Sequence, residues 1–207
     1  GSEGACTGYA LAAVINFLLR RNERAINATV SPHMLYYLAR RYDEWPGEDY
    51  EGSSARGAMK GWLRHGVCGT KSWKRGNKII TDKIAQESMQ FPGGAFYRVT
   101  HRQVRDMHSA LSETGILYCT LMVHAGWDDP AGDPVEVHYR DRHGKNHTIS
   151  LPVIVRKGRA DGGHAIAIVG YTDQGFIIQN SWGTGWGESG YIRMEFTATN
   201  GACGVTY

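Results

Sequence analysis

The chain has 207 residues, of which 42% are hydrophobic and 11% aromatic; it can bury a core, which excludes a disordered chain and fits one domain or two small lobes sharing a cleft. The net charge is only +3, carried in short mixed groups such as LARRYDE and HYRDRHGK, so no basic face for nucleic acid is expected. The longest apolar stretch, ALAAVI with FLL after one asparagine, is too short to span a bilayer, and no membrane partner is expected.

From Cys6 to about Arg21 apolar residues lie nearly all round the helical wheel, which predicts a buried central helix rather than an amphipathic surface one. SPHMLYYLARRY predicts a second helix, with Ser31 as N-cap and Pro32 at the first helical position. SSARGAMKGWLRHG predicts a third, capped by Ser53 or Ser54 and ended by Gly66. TDKIAQESMQ predicts a shorter fourth, stopped by FPGG, and THRQVRDMHSALSETG a fifth. Apart from that fifth helix, the period after FPGG becomes that of strands: GILYCTLMVH, VEVHYRD, HTISLPVIV, HAIAIVGY, GFIIQN and GYIRMEF. Helices first and strands after make the α+β pattern. The expected division is a mainly helical lobe over residues 1–94 and a mainly β lobe over 95–207, antiparallel or barrel-like, with the C-terminal tail free to return to the helical lobe.

The four cysteines, Cys6, Cys68, Cys119 and Cys203, stand singly, without the CxxC pairs of structural zinc sites; no metal is expected. If Cys6 is a free nucleophile three remain, an odd number that argues against a fully paired disulfide framework and favours a cytoplasmic over a secreted setting without excluding the latter. Cys119, inside GILYCTLMV, reads as a small hydrophobe on a buried strand.

A lone cysteine beside an apolar run reads first as a core thiol. Cys6 differs in its setting: at a helix start, unpaired N–H groups and the helix dipole favour the thiolate, the reactive form. Gly4 and Gly8 keep bulk away on either side, as a site admitting a substrate backbone needs. A thiolate works best with a proton partner, and among nine histidines His164 stands out, following the flexible DGG and opening the strand HAIAIVGY. If Asp173, Gln174 and Gly175 form a three-residue hairpin loop with a glycine bulge, Asn180 falls opposite Ile168, on the face of His164. About 13 Å of strand offset must then shrink through a bend or bulge. A two-residue loop would put the pair on opposite faces. In the first register Asn180 can hydrogen-bond the imidazole and orient it, while its neutrality leaves an imidazolium free to pair with the Cys6 thiolate.

The run NSWGTGWGESGYIRM, Asn180 to Met194, together with the GACGVTY tail and the separation of Cys6 from His164, resembles the papain-like cysteine peptidase family (C1-type). The resemblance implies a two-lobe α+β fold and peptide-bond hydrolysis without a cofactor. It implies Cys6 as nucleophile, His164 as acid/base, Asn180 as orienting residue and Trp182 as the aromatic screen over the Asn–His bond. The Cys6 backbone N–H becomes one oxyanion donor, and Gly52 and Gly163 become substrate-binding positions. The implied partners are a peptide or protein substrate and a pro-segment or inhibitor protein. Three features depart from the family pattern: the oxyanion glutamine falls one position ahead of Gly1, Thr7 replaces an aromatic residue, and Glu3 stands where a half-cystine is usual. The same trio also suits an acyl or isopeptide transferase or an amidase, and a papain-like scaffold can serve as a binding module. His138, His143 and His147 read as a solvated hairpin tip, GWDDPAGDP as a turn, and Trp186 and Tyr191 as packing residues.

Overall fold

The computed structural model describes residues 3–22, 29–45, 50–100, 103–141 and 143–195. Among these, five α-helices precede or flank six strands: α1 (Cys6–Arg21), α2 (Pro32–Arg41), α3 (Ala55–His65), α4 (Asp82–Ser88), α5 (Val104–Thr114), β1 (Leu117–Val123), β2 (Gly132–Arg140), β3 (Asn146–Val153), β4 (Gly162–Tyr171), β5 (Gly175–Gln179) and β6 (Tyr191–Glu195). This is the expected α+β class. The expectation for the C-terminal tail falls on residues 196–207, outside the described ones.

The helix ends follow local chemistry. Ser31 Oγ accepts from the Met34 N–H at 3.2 Å and Pro32 occupies the first helical position, while Ser54, of the two serines considered, accepts from the Gly57 N–H at 3.0 Å. Each satisfies a donor that the first helical turn leaves open. Gly66 closes α3 at φ +65°, where a side chain would be strained and would also strike the Ser88 carbonyl.

One sheet holds all six strands in the order β1-β4-β5-β6-β3-β2. Neighbours run antiparallel except β3 and β6, which meet in parallel at Val153 and Arg193, so the expected antiparallel lobe carries one parallel seam. The small residues Ala165 and Ala167 of β4 face α1 and join the helical core of Leu11, Ile15, Leu35, Leu38 and Trp62. Their alternates Ile166 and Ile168 face the other way, into a second cluster with Met107, Leu111, Phe176 and Trp127. Alternation along β4 thus lets one strand serve two cores.

The glycines beside Cys6 do different work from that expected. A Cβ at Gly8 would lie 2.2 Å from the Pro32 carbonyl oxygen, so Gly8 sets the approach of α1 to α2 rather than clearing room for a substrate. Gly4, at φ +62°, abuts the Glu51 backbone. Cys6 and Cys68 are free; Cys119 is buried on β1, as expected, but is disulfide-bonded, which weakens the cytoplasmic argument built on unpaired cysteines. Among the described residues no helix is long and apolar enough to cross a membrane.

Candidate active site

Cys6 is the first residue of α1, whose N-cap, Ala5, has no side chain to satisfy the open N–H groups. The backbone N–H groups of Ala165, Thr7 and Cys6 itself act to lower the thiol's pKa. Ala165 is the residue after His164 on β4. Tyr118 of β1, fully buried, fixes the helix start by donating to the Thr7 carbonyl at 3.0 Å.

His164 is 7% exposed. Its Nε2 lies 2.7 Å from Asn180 Oδ1, and the same oxygen accepts from the Ser181 N–H at 2.8 Å. That second bond identifies the atom: an amide nitrogen at this position would set donor against donor. Nε2 must therefore carry the proton it donates to Asn180, and Nδ1 is left with its lone pair. The Asn180 Nδ2 is buried without a partner among the described residues.

The hairpin reaches this geometry by a route other than the one expected. Thr172 pairs with Gly175, its N–H donating to the Gly175 carbonyl at 2.8 Å, and Tyr171 faces Phe176. The loop is therefore the two-residue turn of Asp173 and Gln174, which alone would put Asn180 on the wrong face. A bulge at Val169 then shifts the register, so that Ile168 faces Ile178 and Ala167 faces Gln179. Continuing by one pair sets Asn180 opposite Ile166, on the face of His164 and only about 7 Å of strand away. The bulge corrects the face and removes half the offset.

Two tryptophans pack against the imidazole and a third backs them. Trp182 lies 4.9 Å from it, centroid to centroid, and Trp127 meets it edge-on at 6.2 Å. Trp186 stacks on Trp127 at 6.1 Å and donates from its indole N–H to the Trp127 carbonyl. Trp127 was hidden in the stretch read as a turn; the structure gives that stretch a 3-10 turn over Ala125–Trp127 with Trp127 buried. The signal that could have found it is the lone large apolar residue before GWDDPAGDP breaks into acids.

Burial sets the protonation of both groups. It pushes the Cys6 thiol up from its ordinary 9.0, against the three backbone N–H groups that pull it down. It pushes His164 below its ordinary 6.5, opposed by the bond to Asn180. Each group taken alone favours its neutral form, so the helix-start environment of Cys6 does not outweigh desolvation; a thiolate here needs the proton to pass to His164.

The two substrate-binding candidates differ in exposure. Gly163 is exposed, with open space where a Cβ would stand, and Gly52 is half-buried against the Tyr50 ring. His138 and His147 bond to Thr148 and Asp141 across the β2–β3 hairpin, and among the described residues no group of three His, Cys, Asp or Glu could hold a metal ion.

Residues 131–207 match the family model described as papain family cysteine protease. Papain from Carica papaya is 54% identical over 44 residues, 20% of this chain and 13% of papain. That stretch spans far less than two thirds of the relative's length. Over the whole fold, xylellain, a cysteine protease from Xylella fastidiosa, superposes with a TM-score of 0.74 at 23% identity, covering 98% of this chain and 78% of that one. The digestive procathepsin L 3 of Tenebrio molitor does so with a TM-score of 0.70 at 17% identity, covering 100% of this chain and 64% of its own. The sequence pattern over the β half and the fold over the whole chain coincide in one molecule: residues 131–207 are similar to the papain family cysteine proteases, and the chain has the papain-like fold.

Proposed function

We propose that the protein hydrolyses peptide bonds through Cys6, His164 and Asn180. The observation that supports this best is the pair of bonds to Asn180 Oδ1, which ties down His164 Nε2–H and leaves Nδ1 as the base. In this reading residues 1–94 form the lobe that brings Cys6 and residues 95–207 the lobe that brings His164 and Asn180. The Cys6 proton passes to Nδ1 and the thiolate attacks the peptide carbonyl, forming the C–S bond. The Cys6 backbone N–H steadies the oxyanion. The imidazolium protonates the leaving amine as the C–N bond breaks, giving a thioester. His164 then takes a proton from water, hydroxide adds to the thioester carbonyl, and the acid leaves with Cys6 restored. Trp182 and Trp127 exclude water from the Asn–His bond, and Gly52 and Gly163 line the substrate's path. A pro-segment is a further partner of the same site; the fold's likeness to a procathepsin supports it.

The test is product analysis by mass spectrometry on a defined peptide mixture, with and without an added primary amine. The expected products are free acids and free amines in both samples. Amine adducts formed in preference to free acid would make the protein a transferase, and intact peptides in both would remove the enzymatic reading.

A further inference from the structure

The segment Tyr50–Ser54 flanks the candidate nucleophile on two sides. A Cβ at Gly4, two residues before Cys6, would lie 2.8 Å from the Glu51 carbonyl oxygen. Thr7, immediately after Cys6, shares a 2.6 Å hydroxyl–hydroxyl hydrogen bond with Ser53. The segment is not part of a helix or strand, so no ladder of its own fixes it. Its backbone is instead held from behind by α2. Arg40 Nη1 donates to the carbonyls of Tyr50 and of Gly52, the latter at 3.1 Å, and its guanidinium lies 5.9 Å from the Tyr50 ring centroid. Tyr36 donates its hydroxyl to the Glu51 carbonyl. Just past the helix, Asp43 accepts from the Tyr50 hydroxyl at 2.5 Å and from the Ser54 N–H at 3.0 Å. Three successive carbonyls are thus tied to two side chains one turn apart on α2, the spacing at which helical residues share a face.

We infer that Tyr36 and Arg40 are positioning residues for an extended peptide, holding the Tyr50–Gly52 backbone at a fixed distance from Cys6 so that Gly52 can meet the substrate. The inference rests on the reading of Cys6 as the attacking thiol. Arginine suits the task because the planar guanidinium fixes the directions of the two Nη1 hydrogens toward carbonyls two residues apart, whereas a lysine ammonium rotates freely on its stem. The clamp acts on binding rather than on the thiol: neither side chain bonds to Cys6 or to His164. Both also line an open depression of about 570 Å³ with Tyr37 and Trp73, so shortening them leaves no closed cavity in the core.

The experiment compares two thiol traps at Cys6, an acetyl-trialanyl chloromethyl ketone that reaches past Gly52 and iodoacetamide that does not. In Arg40→Gln the second-order rate with the peptidyl trap is expected to fall about tenfold, while the iodoacetamide rate stays within about twofold. Arg40→Lys should recover part of the loss, and Tyr36→Phe, which removes one hydroxyl and no volume, should lower the peptidyl rate in the same direction. Equal rates with both traps across these variants overturn the inference, as does a matched slowing of both traps. Neither readout needs turnover, so a wild-type protein that cleaves no peptide would sink the hydrolytic reading and leave this one standing on its own result.

Discussion

Cys6→Ser, His164→Ala and the double variant are each expected to lower the kcat for peptide hydrolysis by on the order of 10⁶-fold, with the double variant no worse than either single one. A serine hydroxyl in place of the thiol has no comparable acidity, and without an imidazole the proton of either nucleophile has nowhere to go. Burial sharpens the dependence, because it holds the Cys6 thiol above its ordinary value and disfavours a thiolate formed by loss of the proton to water. The two side chains make one device, so the second removal finds nothing further to destroy. Steady-state kinetics on one peptide checks this. Losses that multiply in the double variant, or a His164→Ala enzyme retaining more than about a hundredth of wild-type kcat, would mean that His164 is not the proton partner.

The second large effect concerns stability. Gly8→Ala is expected to cost about 3 kcal/mol, at the upper end of what an extra methyl imposes on a filled interface, and to lower the thermal midpoint by roughly 6–12 °C for a chain of this size. The added carbon would stand 2.2 Å from the Pro32 carbonyl oxygen and 2.8 Å from Tyr36 Cβ, both parts of α2 that cannot swing aside. α2 receives glycine from its other neighbour as well, since a Cβ at Gly61 of α3 would meet Leu38 Cβ at 2.6 Å. The three helices therefore approach through small residues, and α1 would have to move with Cys6 on its first turn. Melting followed by circular dichroism measures the shift; a midpoint within about 2 °C of wild type would show that α1 and α2 relax freely.

Much of this was readable from residue order, and the failures have identifiable causes. Ser31–Pro32, the Ser53–Ser54 pair and Gly66 announced helix ends because those residues act through their own backbone and near neighbours. The tandem of Cys6, His164 and Asn180 was readable as chemistry, but the path that unites the last two was not: a two-residue turn and a bulge at Val169 each shift the register, and only their combination restores the shared face. Gly170, next to Val169, is the kind of isolated strand glycine that accompanies a bulge, but the glycine bulge was expected at Gly175 in the hairpin loop instead. Gly8 was read as clearance for substrate, whereas its constraint comes from Pro32 and Tyr36 on another helix. Trp127 and the α2 clamp were missed for the same reason. Their roles depend on contacts with Trp186 and His164, or with Tyr50 and Gly52, that no spacing along the chain encodes.

The most direct measurement of the central claim is the pH dependence of Cys6 alkylation by iodoacetamide in wild type and in His164→Ala. If the thiol proton passes to an imidazole tied through Nε2 to Asn180, the pair holds one proton over a wide range. The ion-paired form is then a constant share of the protein there. Burial lowers His164, so the wild-type rate should rise through an acid limb below pH 6.5 to a plateau; burial raises Cys6, so a second rise should begin only above pH 9.0. His164→Ala should lose the plateau and keep the alkaline rise. A single rise above pH 9.0 in both proteins would contradict the account.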